Sequence, residues 1–422
     1  MATGCVEWKV AVSDTMTLHE PDPFSLIWAI CLPISGFFKR IWNMVVIDPR
    51  RAIHGVKAGF ALSIVSLFYY VKPLYDGIGG TGIGAVMTVA VIFDFTVGGT
   101  ISRAFNRVTA TLFGGSLAIA IHYIADISGQ MTDPVIRGSF VFLIVSVSGY
   151  RVGELTELVQ RRCLTIGLGS SICVIVSMFV NPIWAGFDLH LLCVKNMEKL
   201  AASLDGCVAE YFSQGGTFDG KEVGVQVLEG YKCVLNSKPL EDSLANLASW
   251  EPPHGQFLLE HAWQKYLIIG AAVVNCACCI DALYSYMKSE VQTQAPEHLK
   301  KNLSFAFVRL SSQSSAVLNE LANSIRCMRQ STDMDMLIKD MSLALGELQM
   351  VLKSLPNEIR KGQDTLFSIS LVEIMPLIAI ASQLIEISSR IIALVDAVND
   401  LAGDTFYNPS SKEKLSNVKG QI

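Results

Sequence analysis

The chain has 422 residues, 51% of them hydrophobic, with 33 Lys/Arg against 38 Asp/Glu and a formal net charge of −5. Its mean hydropathy of +0.42 is high for a protein dissolved in water, and its length accommodates two or three domains. Charge is unevenly spread: residues 52–187 hold eight basic and six acidic residues, whereas 188–422 hold twenty and twenty-seven. A slightly basic, membrane-like part therefore adjoins an acidic, water-compatible part. No basic face dominates, which excludes nucleic acid as a partner.

The first 51 residues carry five basic and five acidic residues. Glu7, Asp14, Glu20 and Asp22 precede the first apolar run, the wrong charge order for a secretory signal. That run, PFSLIWAICLPISGFF at 23–38, has two prolines and reads as an interfacial segment. A helix that crosses a bilayer needs about 20 mostly apolar residues. Four segments approach that length: 52–71, 77–95, 108–125 and 163–187. A fifth, 135–150, is short and carries Arg137. Lys39, Arg40, Arg50 and Arg51 precede the first span, which places the N-terminus in the cytosol. Arg103 and Arg107 return to that side before the third span. Arg151, Arg161 and Arg162 precede the last. Five spans would leave the acidic part outside the cytosol, against the scattered, odd-numbered cysteines, which read as free thiols in a reducing compartment.

From Asp188 the pattern becomes amphipathic. Leu189, Leu192, Leu200, Leu204, Val208 and Tyr211 recur at helical steps, as do Leu299, Leu303, Leu310, Val317 and Leu321. Segments 333–355 and 364–401 read as long helices, separated by turn-forming Gly and Pro. The run YLIIGAAVVNCACCI at 266–280 reads as a fully buried helix of the resulting bundle, a sixth span being the alternative of marginal length.

Enzyme chemistry finds no foothold. GIGGTG at 77–82 fits G-x-G-x-x-G, but a membrane helix precedes it where a strand is required, so close helix packing is the better reading. CACC at 276–279 has no matching Cys/His pair at zinc spacing. The chain contains no Walker A, H-E-x-x-H or G-x-S-x-G sequence. Neither a cofactor nor a metal is expected. Asn302-Leu303-Ser304 matches a glycosylation acceptor in a region read as cytosolic.

What remains are cations in or beside membrane segments. A Lys or Arg at the bilayer centre costs about 2.5–3.5 kcal/mol even on the lenient insertion scale, so it faces water or a partner unless it snorkels to headgroups. Anchoring suits Arg50, Arg51 and Arg103. Lys57 inside the first span, Arg107 and Arg162 are candidates for lining a path, because cationic rings select anions. Asp94 either pairs with one of these cations or is an interfacial charge.

Several stretches together resemble the aluminium-activated malate transporter family of plants, which are anion channels. They are DPRRAIHGVKAGFALSIVSLFYY (48–70), AVMTVAVIFDFTVGGTISRAFNR (85–107), PIWAGFDLH (182–190), YKCVLNSK (231–238) and WEPPHGQF (250–257). The Trp250-Glu251-Pro252 tripeptide, DPRR and PIWAG are specific in combination. The resemblance implies an all-α fold: polytopic membrane helices followed by a cytosolic helical bundle, with both termini inside. It divides the chain into a cytosolic or interfacial segment (1–51), a transmembrane pore domain (52–187) and a cytosolic regulatory domain (188–422). It implies a homodimer in the plasma or vacuolar membrane, conducting malate and inorganic anions such as chloride, nitrate and sulfate. Lys57, Arg107, Arg162 and Arg151 would line the pore. Asp94, Trp250, Glu251 and Pro252 would have structural or gating roles, Trp250 as a buried aromatic of the bundle. A coupled carrier of organic anions, and a truncated regulatory subunit that dimerises with full-length relatives, are the alternatives.

Two departures accompany the resemblance. Gly84 stands where the family usually has Trp. One short segment also stands where the family has two membrane helices: SFVFLI looks like the start of one and VSVSGYR like the end of the next. Roughly thirty residues are absent around Ile144–Val145, somewhat less than two full spans.

Overall fold

A computed structural model describes residues 46, 49–70, 82–127, 155–213, 230–254, 263–293, 297–362 and 371–405. The segments at 23–38 and 135–150, Arg151, the junction at Ile144–Val145 and all but the last residue of GIGGTG lie outside the described residues. The described elements are helices: α1 (Pro49–Tyr70), α2 (Gly82–Ile92), α3 (Val97–Ile127), α4 (Leu155–Phe179), α5 (Ala185–Ser213), α6 (Lys238–Ala248), α7 (Trp263–Thr293), α8 (Glu297–Cys327), α9 (Met334–Gly362) and α10 (Leu371–Thr405). The all-α expectation holds. The chain divides into units Met1–Phe60 and Ala61–Ile422, the border falling within α1.

Within the larger unit, α2, α3 and α4 pack on one another. Helices α5 to α10 form the bundle, with α7 against α10 and α8 against both α5 and α9. A single apolar cluster runs through it, from Leu189 and Met197 of α5 through Tyr266 and Ile280 of α7 and Phe307 of α8 to Leu384 and Leu394 of α10. Helix α6 touches α3 on one side and α5 and α7 on the other. It is the short piece that joins the trio to the bundle.

Helix boundaries differ from the sequence expectation at three places, each for a local reason. The segment read as a span over 77–95 has its described helix end at Ile92. Asp94 then accepts from the Phe95 amide (2.8 Å) and Thr96 Oγ1 accepts from the Gly99 amide (3.1 Å). These side chains offer the backbone an alternative to helix and cap α3 instead. Helix α3 accordingly starts at Val97 rather than near residue 108, and Arg103 and Arg107 lie within it. The span read over 163–187 is shifted: α4 runs from Leu155 to Phe179, and Asn181 turns the chain at φ 45°. Pro182 follows, which disfavours helix at the residue before it. Arg161 and Arg162 are therefore inside α4.

Four described helices are long and apolar enough to cross a membrane: Pro49–Phe68, Val159–Phe179, Trp263–Lys288 and Ile374–Gly403. The last two, in α7 and α10, belong to the bundle, where Ile269, Val273, Ile280 and Leu283 of one and Ile380, Leu384, Ile387 and Ile391 of the other are buried. The run at 266–280 is thus a helix of the bundle, but it is not fully buried: Ile268 is 60% exposed and Ala271, Asn275 and Cys278 are exposed; its helix is 31 residues long and its length is not marginal. Within it, Cys276 is buried and Cys278 exposed, both free thiols, and no His/Cys/Asp/Glu group among the described residues could hold a metal.

Helices approach most closely at glycine. A Cβ at Gly98 would land on the Leu247 carbonyl oxygen, and one at Gly186 on the Trp263 ring. Gly346 on α9 has nothing within 4 Å of that position. Gly186→Ala should therefore lower stability by about 1–3 kcal/mol through overpacking. Gly346→Ala should raise it by roughly 0.5–1 kcal/mol through helix propensity. Thermal unfolding of the detergent-solubilised chain checks both.

Candidate functional site

Two features of the larger unit bear on function: the guanidiniums on α3 and α4, and the junction around Trp250-Glu251-Pro252. Helices α3 and α4 run antiparallel. The Val97 amide at the start of α3 donates to the Ile183 carbonyl just past the end of α4 (3.0 Å), while further along α3 a Cβ on Gly115 would meet Val159 near the start of α4. This register places Arg162 roughly six residues along α3 from the level of Arg107, about 9 Å of axial rise. Both side chains are exposed.

The neighbouring cations differ in their partners. Arg103 Nη2 pairs with Asp94 Oδ2 at 3.2 Å, so of the two roles open to Asp94 the structure gives the ion pair. The Arg107 and Arg162 guanidiniums have no side-chain partner among the described residues. Lys57, in the smaller unit, is 2% exposed. Among the described residues its ammonium makes no hydrogen bond or ion pair.

The tripeptide follows α6 in a turn closed by the Trp250 amide donating to the Leu247 carbonyl and the Glu251 amide to that of Ala248, both at 3.1 Å. The turn aims the Glu251 side chain, 1% exposed, at the N-termini of two helices. Its Oε1 accepts from the Ala185 amide of α5 (2.5 Å) and its Oε2 from the Gly186 amide (3.1 Å). The Gly98 amide of α3 also donates to it. A helix N-terminus presents unsatisfied amides and a positive dipole end. One carboxylate here serves two of them.

The surroundings close over this group. The His254 ring stacks on Trp184 with centroids 3.7 Å apart. Its Nδ1 donates to the Pro252 carbonyl (2.9 Å), and its Nε2 lies 4.0 Å from Glu251 Oε2. Trp250 is half-buried and meets Phe105 of α3 with centroids 5.4 Å apart. It packs on α3, not inside the bundle core as the sequence reading has it. Loss of hydration pushes the Glu251 carboxyl up to about 7, and the Asp188 charge adds to this, while the three amides oppose it.

The sequence signals Trp250-Glu251-Pro252 as a unit but not what it binds. That Ala185, Gly186 and Gly98 are the partners depends on tertiary contact across 65 residues and more. The glycines at 98 and 186 are the legible trace, since each marks a place where another element comes too close for a side chain.

Comparison with known proteins places this geometry in a family. The sequence matches the model of the family described as aluminium activated malate transporter over residues 42–145 and 139–363. It is 38% identical to aluminum-activated malate transporter 10 of Arabidopsis thaliana over 481 aligned residues, covering 97% of this chain and 96% of that protein. It is 36% identical to aluminum-activated malate transporter 2 of the same plant, over 88% of this chain and 78% of the relative. It is 31% identical to aluminum-activated malate transporter 1 of Triticum aestivum, over 93% and 90%. The 481 aligned residues exceed the 422 of this chain, so that relative carries stretches absent here. The two family matches meet at 139–145, where the sequence itself looks shortened. With a match to the family over most of its length, helices of membrane-spanning length and an all-α architecture, this chain belongs to the aluminium-activated malate transporter family.

Proposed function

We propose that the chain is an anion channel that conducts malate and other anions, chloride, nitrate and sulfate among them, along a path lined by Lys57, Arg107 and Arg162, with Arg151 a further candidate. The observation that supports this most is the contrast between Arg103, held by Asp94 at 3.2 Å, and Arg107 one turn later, whose guanidinium has no side-chain partner among the described residues. A cation kept unneutralised on an apolar helix concentrates mobile anions. The relatives' names specify malate, a dicarboxylate for which guanidinium offers a matching fork. Two stations about 9 Å apart along α3 and α4 suit an anion that must bind and then leave. In this reading the protein is a multi-pass homodimer of the plasma or vacuolar membrane, with the bundle α5–α10 in the cytosol.

A second reading rests on the shortened sequence near Ile144–Val145 and on the family match that breaks at 139–145. A chain lacking part of the membrane region would serve as a regulatory subunit that assembles with full-length relatives and carries no current itself.

Patch clamp of cells expressing this chain alone, under malate or chloride gradients, separates the two. A current that reverses near the anion's Nernst potential supports the channel. No current at confirmed surface expression, with suppression of a co-expressed full-length relative, supports the subunit. In the channel, Arg107→Ala and Arg162→Ala should each lower malate current about two- to fivefold, the scale of ~0.5–1 kcal/mol for a charge pair in a wet site. Arg103→Ala should disturb α3 through Asp94 and reduce surface expression more than conductance. Unchanged currents in both Ala variants at equal expression would take these residues out of the path.

A further inference from the structure

Helix α9 is apolar on two sides. Met334, Met341, Ala344, Leu348 and Leu355 belong to the bundle core. On the opposite side Met336, Leu343 and Met350, seven residues apart, are 58%, 61% and 65% exposed. Seven residues make nearly two helical turns, so the three form one stripe. Lys339, Gly346 and Lys353 lie on the same side, and the place of a Cβ on Gly346 is open space. Asp333 and Asp335 are exposed at the start of the stripe. We propose that this stripe is a docking seam for a second copy of the chain, whose α9 runs antiparallel to it about a two-fold axis between Leu343 and Gly346.

A two-fold contact uses one patch twice, so the patch must complement itself. Reversed end to end, this stripe does. Leu343 comes over Gly346 of the second copy, a knob above a missing side chain. Met336 comes over Lys353 of the second copy, whose ammonium then sits beside Asp333 and Asp335 of the first. Lys339 comes over Met350 of the second copy, one turn from the position of Glu347, which Arg309 holds within each chain at 2.6 Å. Lys339, Lys353 and Asp335 form no ion pair among the described residues, so these charges are free to meet a second copy. Parallel pairing would instead set Lys339 against Lys339 and Lys353 against Lys353, a juxtaposition that electrostatic complementarity disfavours.

Charge also argues against a lipid surface as the occupant. Residues 188–422 hold twenty basic and twenty-seven acidic residues, and an acidic body is repelled by anionic headgroups. The inference rests on the homodimer reading and adds where two copies meet. One helix a side lies at the low end of the ~1,200–2,000 Å² that stable interfaces bury. The seam therefore sets the register of the pair without carrying it alone.

Thiol cross-linking of the full chain in membranes tests the seam. The exposed cysteines Cys233, Cys278 and Cys327 are replaced by serine, and this parent, treated alike, is the reference. Across the antiparallel seam Met336 stands about 25 Å from its own counterpart and Met350 about 16 Å from its own, whereas Met336 of one copy and Met350 of the other are offset by only about 5 Å along the axis. With a short bis-maleimide, Met336→Cys alone and Met350→Cys alone should stay at the level of the parent. The double variant should give covalent dimer about tenfold above either, because only there are two thiols held close. Adding Lys353→Glu should cut that yield about fivefold, since the reversal acts at both ends, and adding Asp335→Lys as well should restore it. Single variants that link as well as the double one would mean parallel helices and overturn the proposal. So would a double-variant link indifferent to both charge reversals. If no variant links while the mass of the solubilised particle corresponds to two copies, the seam falls and the homodimer reading stands. A single-copy mass with no link would sink both.

Discussion

The structure depends on a single carboxylate doing the work of two helix caps. Helix α3 and the first helix of the bundle begin within reach of Glu251, which accepts from the Ala185 and Gly186 amides of α5 and from the Gly98 amide of α3, while the Val97 amide is met by the Ile183 carbonyl and the Gly99 amide by Thr96. Burying those amides together without an acceptor would cost about 1–3 kcal/mol for each orphaned group. The tripeptide supplies the acceptor, and the glycines at 98 and 186 allow the approach. Remove the carboxylate and two halves of the larger unit lose a shared fixed point; keep it, and the chain must hold a titratable group in a dry place.

The cations fall into place around that constraint. Arg103 is neutralised by Asp94, whose own backbone amide donates to Thr100 Oγ1 at 3.2 Å within the first turn of α3. That pair, with Thr96 as cap, fixes the start of the helix. Arg107 and Arg162 take no part in it. The division of labour among chemically identical side chains is set by helical position: Arg103 lies on the turn that faces back to the cap, and Arg107 lies one turn beyond its reach.

Much of this architecture was legible in the residues. Helical periodicity from Leu189 onwards, the apolar run beginning at Tyr266 and most of the apolar run read over 163–187 correspond to helices. What periodicity misplaced were the ends. Hydropathy treats Phe93 to Thr96 as more of the same apolar stretch, because it counts transfer energy and not the local hydrogen bonds by which Asp94 and Thr96 stop a helix. It likewise runs through Val180 to Trp184, where Asn181 at positive φ and Pro182 turn the chain. The Glu251 junction was visible only as an unusual tripeptide, since its partners lie far away in sequence, and Trp250 was misread because nothing local shows which of two packed bodies it leans on.

The apolar length of α7 and α10 also has a consequence for synthesis. Each is long and hydrophobic enough to cross a bilayer, yet each hides that surface chiefly against the other. On the ribosome α7 is complete at residue 293 and α10 begins only at residue 371. At roughly 5–20 residues per second, α7 waits several seconds for its companion. During that interval the translocation machinery meets a segment it could insert. Whether the nascent α7 inserts or packs is thus a race between insertion and the shielding that α5 and α6, already made, provide.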